Sequence, residues 1–224
     1  MDIGCVPGSI TADLVDRVAP GRVVGVDRAP DVIETARDSY PSLVFAVGDA
    51  YALKFEADEF DVVHAHQVLQ HLSDPVAALR EWARVVRPGG VVAARDADYE
   101  AFTWFPADPR LDRWLDLYRA AARENHAEPD AGRRRLSWAR AAGFTEVDAT
   151  GSVWCYAEPQ SRYWWSDLWA ERITDSPLAK QLVDGGRATT SDLEAIATAW
   201  REWGEPDTAW FPVPHGEGAG PVRS

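Results

Sequence analysis

Met1-Asp2-Ile3-Gly4-Cys5-Val6-Pro7-Gly8 opens the chain, and Thr11 to Val18 reads as the helix behind it. An acidic residue, closely spaced glycines and a helix start make the loop with which an α/β protein grips a nucleotide-like cofactor. Glycine lets the backbone turn tightly and come close to a ligand, while the helix N-terminus offers N–H groups. Such a loop follows a buried strand, yet only Met1 stands before Asp2. The first strand is therefore expected to be truncated, with backbone groups of its neighbours left unpartnered. A chain whose natural start lies further upstream is the favoured explanation, ahead of a fragment or a degenerate relative.

Outward from this loop, short apolar runs alternate with amphipathic stretches, the pattern of βαβ units on a parallel sheet. Arg22 to Asp27 is a strand ending in an acid, and Pro30 to Tyr40 a helix with Asp31 and Glu34 near its positive end. Leu43 to Val47 and Phe60 to Ala65 are further strands. Pro75 to Val86 is a helix ended by Arg87-Pro88-Gly89-Gly90, and Val91 to Arg95 the next strand. Helices follow at Leu111 to Glu124 and Arg133 to Ala142, then a strand through Thr145 to Tyr156. Helical spacing returns from Gln160 to Ile173 and from Ser191 to Trp203, ahead of a last strand at Trp210 to Val213. The tail from Gly216 to Ser224, rich in Gly and Pro, reads as frayed.

A chain of 224 residues can bury a sizeable core as one domain, with residues 1–104 aliphatic and residues 105–224 helical and rich in tryptophan. A net charge of -13 argues against a nucleic-acid partner, which normally meets a basic face. Arg133-Arg134-Arg135 is read as the solvated start of a helix. No run reaches the ~18 apolar residues of a membrane span, and no signal peptide precedes the loop. Cys5 and Cys155 form no disulfide framework, so a cytoplasmic setting is expected.

Four features sit at the C-terminal ends of strands, where open α/β sheets bind ligands. They are the Asp2/Gly4/Gly8 loop, Asp27, Asp49, and the segment His64-Ala65-His66-Gln67-Val68-Leu69-Gln70-His71. Asp27 can accept from both hydroxyls of a ribose, and Asp49 from an exocyclic amine such as that of adenine. Each is weak alone, since glycine loops are common; the ordered set is specific. It resembles the class I S-adenosylmethionine-dependent methyltransferases, especially the branch containing the ubiquinone and menaquinone biosynthesis methyltransferases. Asp2 to Gly8, Val23 to Asp27, Gly48 to Ala50, Phe60 to Leu72 and Leu79 to Gly90 carry the resemblance, which covers roughly residues 1 to 100.

That resemblance implies a Rossmann-like α/β fold, a mostly parallel sheet flanked by helices, with a truncated first strand and a helical insertion before the last strand. It implies S-adenosylmethionine as cofactor, contacted by Asp2, Gly4, Cys5, Gly8, Asp27, Arg28, Asp49, Ala50, His66 and Gln67. The glycines would cradle the methionine end, Asp27 the ribose and Asp49 the adenine amine, with a donor from the Ala50 backbone. His66 and Gln67 would sit beside the methionine moiety. Methyl transfer asks mainly for alignment and exclusion of water. A base is needed only where the acceptor must lose a proton; His71, Asp96 and Tyr99 are the candidates, beside Asp98. For His71 a helix-capping or surface role stands as the alternative, and for Asp96 a solvated loop.

His64-x-His66 with His71 invites a metal reading, because alternate strand residues share a face. The Asp that an HxHxDH motif needs is Val68 here, and no carboxylate or Cys completes a ligand set, so no metal is expected. Trp165 with Trp169 and Trp200 with Trp203 stand at helical spacing. They are buried helix faces, or else an aromatic wall for a flat or hydrophobic acceptor. Val6 occupies the middle of the loop, where the family usually has glycine; at positive φ a β-branched residue is strained. The leading expectation is methylation of a small-molecule acceptor. A degenerate, non-catalytic binding protein is the principal rival. A nicotinamide-dependent oxidoreductase would need a G-x-G-x-x-G loop that this chain lacks.

Overall fold

The computed structural model describes residues 1–222. Five parallel strands form its first part: β1 (Asp2–Ile3), β2 (Val24–Asp27), β3 (Val44–Val47), β4 (Phe60–His66) and β5 (Val86–Ala97). With β6 (Asp148–Tyr156) and β7 (Phe211–Pro221) they make a seven-stranded sheet in the order β3-β2-β1-β4-β5-β7-β6. The chain winds one way from β1 to β3 and the other way from β4 to β5. Its crevice therefore opens where β1 and β4 diverge.

The first strand is not absent. Asp2 pairs with Gly25 on one side and His64 on the other, and Ile3 with Val26 and Ala65. Met1 extends the ladder: its carbonyl accepts from the His64 N–H at 2.9 Å, and its ammonium donates to the Val62 carbonyl at 2.8 Å. Pairing builds residue by residue, so two residues suffice to set the register on both neighbours.

Helices α1 (Ser9–Val18), α2 (Pro30–Ser39), α3 (Pro75–Val85) and α5 (Ala131–Ala142) belong with these strands. Local chemistry sets their starts: Pro30 and Pro75 occupy first-turn positions, and the Asp74 carboxylate caps α3 by accepting from the Ala77 N–H at 2.9 Å. The Arg87-Pro88-Gly89-Gly90 run does not end at a helix but lies inside β5. Pro88 has no N–H to give the ladder, and β4 and β5 shift register between Phe60 and Val62 to accommodate the run. Gly90 is held tight there, since a Cβ on it would stand 2.5 Å from the Asp61 carbonyl oxygen.

Two compact units divide the contacts. The first holds residues 1–97, 131–151 and, of the described tail, 216–222. Its core gathers Ile3, Val26, Val63, Leu69, Leu79, Trp82, Val85 and Val92. The Trp82 indole donates to the Ala50 carbonyl at 3.0 Å and so ties α3 to the segment after β3. Of the tail expected to fray, Gly216 to Pro221 are instead the end of β7, and beyond them Gly89 donates to the Val222 carbonyl (2.8 Å) and Val222 to that of Gly90 (2.9 Å); Arg223 and Ser224 lie outside the described residues.

Glycine is what brings β7 in. A Cβ on Gly216 would stand 2.0 Å from the Gly132 carbonyl oxygen and 2.6 Å from its carbon, and neither backbone atom can step aside. Gly216→Ala is expected to cost about 2–3 kcal/mol, a fall in Tm of roughly 5–10 °C by thermal unfolding. An unchanged Tm would show that α5 and β7 do not touch there.

The second unit holds residues 98–130 and 152–215, with α4 (Pro109–Glu124), α6 (Pro159–Thr174), α7 (Pro177–Asp184) and α8 (Thr190–Gly204). Its centre is aromatic. Trp114 lies edge-on to Trp169 (4.5 Å, 74°) and Trp200 (4.8 Å, 89°), and all three are fully buried. Asp130, also buried, takes Arg119 at 2.7 Å together with Arg123 and anchors α4 to the loop after it. Among the described residues no helix is long and apolar enough to cross a membrane.

Candidate functional site

The glycine loop joins β1 to α1 through three left-handed residues: Gly4 (φ 68°), Val6 (φ 46°) and Gly8 (φ 94°). The N–H groups of Gly4 and Cys5 both donate to the Val26 carbonyl, at 2.8 and 3.2 Å, and Gly8 donates to the Cys5 carbonyl at 2.9 Å. The loop is thus fixed to β2 and folded on itself. Gly4 can have no side chain, because a Cβ would stand 2.5 Å from Cγ2 of Val68. Val6 takes the strained left-handed conformation and leaves 55% of its surface exposed.

Asp2 was expected among the cofactor contacts. It is 1% exposed and both its oxygens are in use: Oδ2 accepts from the Thr11 hydroxyl at 2.6 Å, and Oδ1 lies 2.9 Å from His64 Nδ1. It clamps the start of α1 to β4 and reaches a ligand only through the loop it holds. His64 is engaged by the same clamp. The Cys5 side chain turns into a cluster with Ile33, Ala36 and Phe45. Burial, reinforced by Asp2 and Asp27, pushes its thiol up to about 12, so Cys5 can offer a ligand only its backbone.

Asp27 and Asp49 share one device. Asp27 Oδ1 accepts from the Ala29 N–H at 3.0 Å, and Asp49 Oδ1 from the Tyr51 N–H at 2.9 Å. In each case the backbone two residues on locks the carboxylate at a strand end. Asp27 is half-buried; Arg28 and Asp49 are exposed, and Ala50 is half-buried. At the end of β4, His66 is half-buried and Gln67 is held at φ 55°, its N–H donating to the Arg95 carbonyl at 2.6 Å. Burial, followed by the Arg95 guanidinium and His64, lowers His66 to about 4. Its ring is neutral at pH 7.

The three candidate bases part company. His71 is exposed at the end of a 3₁₀ turn (Leu69–His71), its Nε2 lying 3.1 Å from Gln70 Nε2. Asp96 does not lie in a solvated loop: β5 runs through it to Ala97 and leaves it no exposed surface. Tyr99 belongs to the second unit, 6% exposed and stacked on Phe102 (4.4 Å) and Tyr118 (4.3 Å). Burial first, then Tyr118, raises its phenol well above the usual range. Asp98 is buried in that unit as well. Asp96 and Tyr99 thus both stand in the interior. The buried tryptophans likewise build the core of the second unit.

Sequence reasoning missed Thr11, whose hydroxyl holds Asp2, and Arg135. Far from being solvated, Arg135 is 5% exposed and donates from Nη1 to the Gly216 carbonyl at 2.5 Å. Position three of an arginine triplet carries no local signal for this; only the approach of β7 turns it inward.

Residues 1–94 match the family model described as Methyltransferase domain. An uncharacterized methyltransferase of Schizosaccharomyces pombe is 32% identical over 230 residues, which cover 97% of this chain and 82% of that protein. Demethylmenaquinone methyltransferase of Lactococcus lactis is 33% identical over 124 residues, 53% of this chain and 47% of the relative. Among solved structures, a phosphoethanolamine N-methyltransferase 2 of Haemonchus contortus in complex with S-adenosyl-L-methionine superposes with a TM-score of 0.58 at 16% identity. That match covers 99% of this chain and 48% of the other.

Proposed function

This chain belongs to the class I S-adenosylmethionine-dependent methyltransferases, and from that premise we propose that it methylates a small-molecule acceptor. The observation that carries the cofactor assignment is the pair of carboxylates, Asp27 and Asp49, locked at successive strand ends beside a left-handed glycine loop. A nucleoside presents a ribose diol and an exocyclic amine, and two carboxylates with Oδ1 anchored and Oδ2 left to accept suit those groups. We assign Asp27 to the ribose and Asp49, with the Ala50 backbone, to the adenine. Gly4, Cys5 and Gly8 border the methionine end through their backbone. Arg28 stands at the rim, and His66 and Gln67 line the methyl side.

When bound, the cofactor supplies a methyl group already activated on a sulfonium. The chain has only to hold, orient and dehydrate. A neutral His66 places no second positive charge beside a sulfonium cation. His71, exposed at the end of its turn, is the base we assign where the acceptor must release a proton. Small-molecule acceptors are favoured by relatives named for demethylmenaquinone and trans-aconitate and by the net charge of -13. A cytoplasmic setting suits two free cysteines, Cys5 buried and Cys155 exposed.

Titration of S-adenosylhomocysteine by calorimetry tests the reading, and Val6 sharpens it. A valine at φ 46° costs roughly 1–2 kcal/mol relative to glycine. Val6→Gly is therefore expected to tighten S-adenosylhomocysteine binding by about tenfold, if the loop must hold that conformation to bind. An unchanged dissociation constant would mean that the loop's strain is not linked to the ligand.

A further inference from the structure

We propose that Asp96 is a positioning residue for this enzyme: its buried carboxylate fixes the turn after β4 and thereby the placement of His66 and Gln67. The proposal rests on the cofactor site assigned above. Asp96 Oδ1 accepts from the Gln70 N–H at 3.1 Å, and the neighbouring Leu69 and Val68 amides favour the ionised form of the carboxyl. The turn therefore offers backbone N–H dipoles to a buried anion, as an anion nest does. The neighbouring Arg95 carbonyl takes the Gln67 N–H at 2.6 Å. Two adjacent residues of β5 thus hold the whole segment.

That segment needs holding. Gln67 is left-handed at φ 55°, a conformation that persists only where its surroundings impose it. Val68 packs so closely on the glycine loop that Gly4 cannot carry a Cβ, so a shift of the turn is felt at once in that loop. Room to shift exists. Leu69 of the turn and Arg135 help line a cavity of about 20 Å³.

Among the described residues, Asp96 Oδ2 and Arg135 Nε have no hydrogen-bond partner and stand 3.9 Å apart. Arg135 is held back by the carbonyls of Gly216 (2.5 Å) and Gly218 (3.4 Å). The charged groups around this centre are Arg135 from α5, Arg95 from β5 and Glu217 from β7, with Arg95 paired to Glu217 at 3.1 Å. Burial outweighs Arg135 and the three amides, and Asp96 is raised to about 6.

The sign follows. Below about pH 4 the group is protonated in both folded and unfolded chains. Between about 4 and 6 only the folded chain keeps the proton, so stability falls as pH rises through that window. Above 6 the ionised carboxylate is held at full cost, and it grips the turn. Asp96→Asn cannot ionise.

Two measurements test this. Hydrogen exchange at the amides of Val68, Leu69 and Gln70, corrected for intrinsic pH dependence, is expected to slow about tenfold in the wild type between pH 5 and 7.5. In Asp96→Asn these amides should stay fast at both pH values, with Tm at pH 7.5 no lower than wild type. Calorimetric affinity for S-adenosylhomocysteine should rise about tenfold over the same range in the wild type and stay flat in the variant. Wild-type exchange and pH profile in Asp96→Asn would overturn the proposal, as would a simple loss of Tm with unchanged exchange. Exchange that responds as expected in a chain that binds no S-adenosylhomocysteine would uphold the positioning role and remove the cofactor assignment instead.

Discussion

Asp27→Ala is expected to weaken S-adenosylhomocysteine binding at least a hundredfold, the largest loss from any one side chain of the site. Charge-assisted hydrogen bonds contribute about 1.5–3 kcal/mol each, and in the proposed site two ribose hydroxyls would share this carboxylate. Losing both amounts to roughly 3–6 kcal/mol, or about two to four decades in dissociation constant. The carboxylate is also prearranged, because its bond from the Ala29 N–H at 3.0 Å removes the entropy of finding the right rotamer. Asp27→Asn keeps an oxygen for Ala29 but cannot serve both hydroxyls as an anion. It should lie between wild type and alanine. Calorimetry with all three chains separates these cases, and an alanine variant within threefold of wild type would place the ribose elsewhere.

Gly4→Ala is expected to damage both fold and site. The left-handed backbone at φ 68° costs alanine about 1 kcal/mol, and the added carbon meets Val68 Cγ2 at 2.5 Å. Overpacking of this kind adds roughly 1–3 kcal/mol. The total of about 2–4 kcal/mol should appear as a fall in Tm of some 5–15 °C, accompanied by loss of S-adenosylhomocysteine binding. Val68→Ala in the same chain removes the clash and leaves the backbone strain. The double variant should therefore recover about half of the lost stability. No recovery would mean that the loop and the turn after β4 do not touch.

Much of this arrangement is legible in the chain itself, for local reasons. Val24–Asp27 and Pro30–Ser39 begin and end within a few residues of the reading, because an acid at a strand end and a proline in a first turn act on their own surroundings. The loop glycines, Asp27 and Asp49 stand out in the sequence because strand ends that face a ligand carry a residue pattern. What stayed hidden depends on distant partners. Gly216 to Pro221 read as a frayed tail because glycine carries no strand signal, yet contact with Gly132 makes it β7. Asp96 reads as a loop acid because the apolar run of Val91 to Arg95 marks only part of the strand, which runs from Val86 to Ala97. Pro177–Asp184 escaped notice as a helix because eight residues give too few turns for a periodic signal.

The aromatic core of the second unit has an optical consequence. Only Trp82 and Trp138 of the eleven tryptophans lie in the first unit. Trp114, Trp169 and Trp200 sit within 4.5 to 6.2 Å of one another, in edge-on and stacked pairs. Indoles at such separations exchange excitation, so absorbed light migrates through the cluster and is emitted from the few rings of lowest energy. The fluorescence and near-ultraviolet circular dichroism of the whole chain are therefore dominated by residues 98–130 and 152–215. Unlabelled protein carries its own spectroscopic gauge of that unit, while in the first unit Trp82, bonded to the Ala50 carbonyl, is a separate reporter beside Asp49.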